Sequence, residues 1–172
     1  TASSSTSDCD IGDQFNGGQA TVRGLEFQLT NSFQLTDSTT MPVSIAYTYT
    51  DAEFDSTFDG EFFGDVSKGD PIPYIPENQV ALALGLENGP YSINANLNYV
   101  DAVCVKASCV DFEKTDDSTV LNLVGNYQVN DNLGVYLRLE NITDEADIIA
   151  RQPKGARPNK ARSATLGMRL VF

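Results

Sequence analysis

The sequence predicts an all-β protein, an antiparallel up-and-down sheet that forms about seven strands of a transmembrane β-barrel. Three observations carry that prediction. Seven segments alternate apolar and polar residues with period two. The connections between them alternate short and long along the chain. The last segment, residues 162–172, places Ala164, Leu166, Met168, Leu170 and Phe172 on one side, and Ser163, Thr165, Gly167, Arg169 and Val171 on the other. An apolar strand with a terminal aromatic suits a barrel, whose last strand pairs with its first and so removes both edges.

Residues up to Gly18 are rich in Ser, Thr, Asp and Gly and read as a loop. The first strand starts at Gln19, with Leu25, Phe27, Leu29, Phe33 and Leu35 opposite Glu26, Gln28, Thr30, Ser32 and Gln34. A short turn leads to the second, which starts near Pro42 and sets Val43, Ile45, Tyr47 and Tyr49 against Ser44, Ala46, Thr48 and Thr50. Periodicity then lapses over 51–78, an acidic stretch carrying Phe54, Phe58, Phe62, Phe63 and Tyr74 that reads as a solvated, mobile loop. The third strand holds Val80, Leu82, Leu84 and Leu86 and stops at Asn88-Gly89, a pair that tolerates positive φ. In the fourth, Tyr91, Ile93, Ala95, Leu97 and Tyr99 alternate with Ser92, Asn94, Asn96 and Asn98. A polar loop over 101–117 follows. The fifth strand sets Leu121, Leu123, Tyr127 and Val129 against Asn122, Val124, Asn126 and Gln128. After a turn at 130–132, Leu133, Val135, Leu137 and Leu139 oppose Tyr136, Arg138 and Glu140. A basic loop over 143–161 leads to the closing strand. There is no amphipathic helix and no second domain in this pattern, so residues 1–172 read as one segment.

The chemistry of the rows separates a membrane from water. No charged residue falls on the apolar rows, and Tyr49, Tyr91, Tyr99 and Tyr127 stand at their ends, where an interfacial girdle belongs. The opposite rows are mostly Asn, Gln, Ser, Thr and Gly, which suits a wet lumen; a sheet facing bulk water carries more Lys and Glu. With the short turns on the periplasmic side, the last strand runs downward and leaves the C-terminus in the periplasm. A soluble β-sandwich binding module is the competing reading, since alternation alone does not exclude it.

Composition removes several functions. A net charge of −13 lacks the basic footprint that nucleic acid requires. With no histidine, His-based triads, imidazole metal sites and His general bases are out of reach, and no catalytic residue, metal site or cofactor is expected. No apolar run approaches the ~20 residues of a membrane helix, which says nothing against strands. Cys104 and Cys109 stand close enough in sequence for a small local disulfide in an oxidising compartment; two free or separately paired thiols are the alternative. Cys9 is left over. The start, Thr1-Ala-Ser-Ser-Ser-Thr-Ser, has neither initiator Met nor signal features and reads as the edge of a piece from a longer protein.

Several segments resemble the C-terminal part of TonB-dependent outer-membrane receptors of the ferric citrate and siderophore type. They are Ala20-Thr-Val-Arg-Gly-Leu-Glu-Phe, Gly69-Asp-Pro-Ile-Pro-Tyr-Ile-Pro-Glu-Asn-Gln, Leu139-Glu-Asn-Ile-Thr-Asp, and Gly155-Ala-Arg-Pro-Asn-Lys-Ala-Arg-Ser through Phe172. The segments occur in the family's order and cover nearly the whole chain. The resemblance implies a twenty-two-stranded barrel with an N-terminal plug, an outer-membrane location, an iron-chelate ligand and transport driven through TonB. The plug, the TonB-contacting segment and the earlier strands are missing here, so they are expected as partners, together with outer-membrane lipid or lipopolysaccharide. Two unpaired edges also allow self-association, and a strand-edge-assembling structural or adhesive fragment is the further alternative.

Two loops are candidates for recognition. The basic loop carries Arg151, Lys154, Arg157, Lys160 and Arg162; its cations suit an anionic chelate or lipopolysaccharide phosphates, with Arg151 and Arg157 foremost, or they neutralise the acidic loops. The acidic loop over 51–70 offers carboxylates and aromatic platforms to a cation or polar ligand but lacks the spacing of a calcium loop, and a solvated, mobile loop is the favoured reading. Arg138, Glu140 and Arg169 are expected in the lumen, paired with one another or with the plug. Gly24 reads as room for a close approach or a bend, and Pro71, Pro73 and Pro76 as stiffeners. Asn141 and Asp144 are placed to close local turns.

Overall fold

The structure, a computed structural model, describes residues 18–60, 63–152 and 155–172. Cys9, Phe62 and Lys154 lie outside them. Seven strands form one antiparallel sheet: β1 (Ala20–Thr36), β2 (Thr39–Phe54), β5 (Asn78–Asn88), β6 (Tyr91–Val100), β7 (Ser118–Asn130), β8 (Leu133–Glu140) and β11 (Ser163–Leu170), in that spatial order. Every neighbour in space is the next long strand in sequence, the up-and-down arrangement. Four short strands pair off in the loops: β3 (Phe58–Gly60) with β4 (Gly64–Val66), and β9 (Ile148–Ala150) with β10 (Arg157–Pro158). β1 and β11 occupy opposite edges, so the barrel does not close within this chain.

Register turns the sequence alternation into two chemically distinct faces. One row runs Leu29, Ile45, Leu82, Leu97, Leu121 across five strands. The next row, on the other face, runs Thr30, Ser44, Ala83, Asn96, Asn122. The sandwich reading requires a second layer over the first row, and the described residues supply none: Leu25, Phe27 and Leu29 are each at least half exposed. Buried residues lie instead almost wholly at the loop end, among them Phe54, Val66, Val103, Val105, Ala107 and Asn141.

Pro42 sits within β2 rather than at its start. It pairs with Ser32 on the β1 side, and its ring covers Gly85 of β5, where an added Cβ would come within 2.6 Å of Pro42 Cγ. A proline without a ladder donor is thus accommodated by a glycine beneath it. Gly24 has a similar cause: its Cβ would stand 2.5 Å from the Tyr49 carbonyl oxygen, so close approach of β2 explains the residue. Gly89 takes φ +52° in the turn after β5, as its pairing with Asn88 suggested.

At about 3.3 Å per residue, the 17 and 16 residues of β1 and β2 greatly exceed the about 9–11 that a membrane strand needs. Their surplus includes Phe54 at the end of β2, which anchors a small apolar cluster with Val66 and Ala107. Phe58, Phe63 and Ile72 pack against it, the two rings edge-on to Phe54 at 5.5 Å. The stretch over 51–78 is therefore not the solvated loop expected from its acidity. Phe54, Phe58 and Phe63 carry no common period because they converge on one cluster. The prolines do more than stiffen: Phe54 N donates to Asp70 O and Ile72 N to Ala52 O, so the returning chain is stitched onto β2, with Pro71 opposite Glu53.

Candidate functional site

Three connections, over 55–77, 101–117 and 141–162, meet at the same end of the sheet; the opposite end has only tight turns. Tyr74 joins all three. Its backbone takes φ +62°, its N–H donates to Cys104 O at 2.9 Å, and its hydroxyl accepts from Gln152 N at 3.0 Å. Gln152 Nε2 in turn donates to Val105 O at 3.2 Å, and Ala107 N to Phe63 O at 3.0 Å. Cys104 and Cys109 are joined in a disulfide with Cα atoms 5.5 Å apart. It closes the segment whose Val105 and Ala107 are buried in the cap, so this loop is far less polar in place than in sequence.

The third connection is anchored by Asn141, which is 1% exposed and takes φ +50°. Its Nδ2 donates to Glu145 O at 2.8 Å and to Lys160 O at 2.9 Å, while Oδ1 accepts from Glu145 N at 3.2 Å. One amide thus turns the chain and also ties the two ends of a twenty-residue excursion. Only residues that tolerate the left-handed region and donate twice can do both. Asp144 follows at φ +59°, and its carboxylate pairs with Arg162 at 3.2 Å.

Asp101 locks the start of the middle loop. Desolvation pushes its carboxyl up, but hydrogen bonds from Tyr99 Oη, Asn78 Nδ2 and Asn78 N outweigh this and hold it below the ordinary 3.8. Nearby, Asp147 Oδ2 accepts from Ser118 Oγ at 2.7 Å and from Asn159 Nδ2 at 3.2 Å. Beneath these loops, on the polar face, opens a cavity of about 350 Å³ whose walls include Tyr74, Asn98, Asp101, Asp116, Ser118 and Asn159. Asn159 Oδ1 is buried with no hydrogen-bond donor among the described residues.

The basic residues are divided rather than gathered. Arg151 Nε donates to Lys114 O. Arg157 is exposed on β10 opposite Ala150, with no side-chain hydrogen bond or ion pair among the described residues. Lys160 pairs with Glu140 at 2.6 Å, so Glu140 finds its partner in the loop instead of in Arg138 or Arg169. None of Arg151, Arg157 and Lys160 lines the cavity. Three carboxylates of the acidic loop have partners: Asp51 in Arg23 at 3.2 Å, Asp55 in Thr21, Asp70 in Ser67 N. Among the described residues no group of three or more Cys, Asp or Glu could hold a metal ion. Tyr74, Gln152 and Asn159 escaped the sequence reading, because nothing in their local pattern marks a contact made across loops.

An open-edged antiparallel sheet with one apolar and one largely uncharged polar face, capped at one end by loops, defines part of a membrane β-barrel. The family model for the TonB dependent receptor-like β-barrel matches residues 1–142, and the chain belongs to that family. It is a family of outer-membrane transport receptors and not of enzymes. Solved structures with the same fold include the siderophore receptor PiuA from Acinetobacter baumannii, at 22% identity and TM-score 0.67 over 89% of this chain and 22% of that one. The ferric-catecholate import receptor Fiu from E. coli K12 matches at 21% identity and TM-score 0.62, over 88% and 21%. The copper transporter OprC matches at 20% identity and TM-score 0.58, over 88% and 24%. This chain therefore spans about a fifth to a quarter of the length of these proteins. No curated protein matches it.

Proposed function

We propose that this chain supplies C-terminal barrel strands to a receptor that takes up an iron chelate, a siderophore or ferric citrate-like complex, across the outer membrane under TonB drive. The plug that contacts TonB and the remaining strands come from the rest of that receptor and cover the free edges of β1 and β11. The single observation that carries the reading is the asymmetry of the sheet: a loop cap with a polar-face cavity at one end, tight turns at the other. With the cap outside, β11 runs toward the periplasm and leaves the C-terminus there.

Within the cap, Arg157 is the cation most available to an anionic chelate, with Arg151 one residue beyond its paired partner Ala150. Lys160 is held by Glu140 and serves the fold, and Lys154 completes the basic loop in sequence. The chelate reading draws on the siderophore and ferric-catecholate receptors among the relatives, and the copper transporter makes the cargo a question for experiment. Radioiron uptake by cells carrying the full receptor, offered ferric catecholate, hydroxamate and citrate in turn, tests it. Uptake of one chelate should vanish on loss of the receptor or of TonB, and fall several-fold in R151A/R157A. Unchanged uptake of all three in the receptor-less strain would refute the proposal.

A second reading, assembly through strand edges, draws on the free outer edge of the 17-residue β1. Filaments formed by this segment in cells, without the rest of a barrel, would favour it.

A further inference from the structure

On the apolar face one row crosses five strands in register: Leu86, Ile93, Gly125, Leu137 and Leu166. Four of these carry large side chains and the middle one carries none. A Cβ added at Gly125 would meet no atom within 4 Å. The gap is the floor of a groove of about 430 Å³, with the four aliphatic side chains around it. Toward the turns it is bounded by Tyr91 and Tyr127, whose rings stack at 4.7 Å. No charged residue lines it. Its floor, Gly125, lies on β7, which is paired on both sides, and one wall, Leu166, belongs to the edge strand β11.

We infer that this groove seats one acyl chain of a phospholipid in the periplasmic leaflet, as a discrete site distinct from ordinary annular contact. The inference rests on the reading of the sheet as an outer-membrane barrel with its tight turns toward the periplasm. Three features choose the occupant. The groove is continuous with the apolar surface that such a barrel turns to lipid. It lies beside the tight turns at 89–90 and 131–132, hence at the depth of the inner leaflet. The stacked tyrosines have apolar bodies and polar tips, so they can line an acyl chain while their hydroxyls meet headgroups. A missing side chain in a lipid-facing row leaves the walls without contact partners, and a flexible chain restores those contacts.

The test uses the full receptor containing this segment, reconstituted in vesicles of phosphatidylethanolamine and phosphatidylglycerol, re-extracted in mild detergent and weighed by native mass spectrometry. G125L fills the groove. A95L adds an isopropyl group, one carbon fewer than G125L, on the same face, one row nearer the loops and outside the groove. Wild type and A95L should each retain one phospholipid more than G125L. Equal retention by G125L and wild type, with both heat-modifiable on gels, overturns the inference. So does retention of lipid A in place of phospholipid when the receptor is extracted directly from cells. Should G125L fail to assemble, L137W fills the same space from the wall and must lose the same lipid. Chelate uptake is measured alongside: its absence in wild type would sink the transport reading and leave the lipid count readable.

Discussion

Replacing Asn141 by alanine should release the third connection from the sheet and leave the strands intact. Three side-chain hydrogen bonds of 3.2 Å or less disappear, to Glu145 O, Lys160 O and from Glu145 N. At about 1 kcal/mol each, they amount to roughly 3 kcal/mol. Alanine held at φ +50° adds about 1 kcal/mol of backbone strain. The sum, about 4 kcal/mol, corresponds to a roughly thousandfold rise in loop opening, since about 1.4 kcal/mol is a factor of ten. Hydrogen exchange on the full receptor reads this directly. Peptides covering 142–160, which contain the protected amides of Asp144, Glu145 and Asn159, should exchange far faster. Peptides from β7 and β8 should not change. Asn141→Asp separates the hydrogen bonds from the backbone: it tolerates the left-handed region but points a second acceptor at two carbonyls, and should be at least as severe. Unaltered protection in both variants would refute the assignment of Asn141 as the anchor.

Three further outcomes follow from the same geometry. Removing the disulfide in C104S/C109S should cost about 2 kcal/mol by loop closure alone and loosen the contacts of Val105 and Ala107; exchange should rise over 101–117 and 63–74 and stay unchanged in the strands. Gly24→Ala sets a methyl 2.5 Å from the Tyr49 carbonyl and should destabilise the β1–β2 pair by roughly 1–3 kcal/mol, seen as a lower gel-shift temperature of the barrel. Because Asp101 is held below its ordinary 3.8, its contribution is present above that value and lost as pH falls through the native pKa. At the upper end of pepsin's working range the wild type should therefore resist nicking near 101–117 better than D101N, and further acidification should erase the difference.

The seven long strands were legible in the sequence because their burial depends only on period two. Leu82, Leu97 and Leu121 share a row for the same reason that they alternate with Ala83, Asn96 and Asn122. The turn at Asn88-Gly89 was legible because positive φ has few tenants. Pro42 misled at the start of β2, because its tolerance depends on Gly85, a residue 43 positions away. The cap was legible only in part: the turns at Asn141 and Asp144 were, and the packing over 51–78 was not. Acidic, aperiodic segments look solvated one at a time, and their apolar residues find partners only in one another.

Alternation, turn chemistry and connection lengths are local properties, so the chain alone determined an antiparallel membrane sheet with one face for hydrocarbon and one for water. The cap is different in kind. Tyr74 meets Gln152 across 78 residues, and Asn159 meets Asp147, because strand register brings distant connections to one end of the sheet. Only the tertiary structure sets Lys160 against Glu140 and leaves Arg157 without a side-chain hydrogen bond or ion pair among the described residues. Ion pairs depend on distances of a few ångströms that no spacing along the chain encodes.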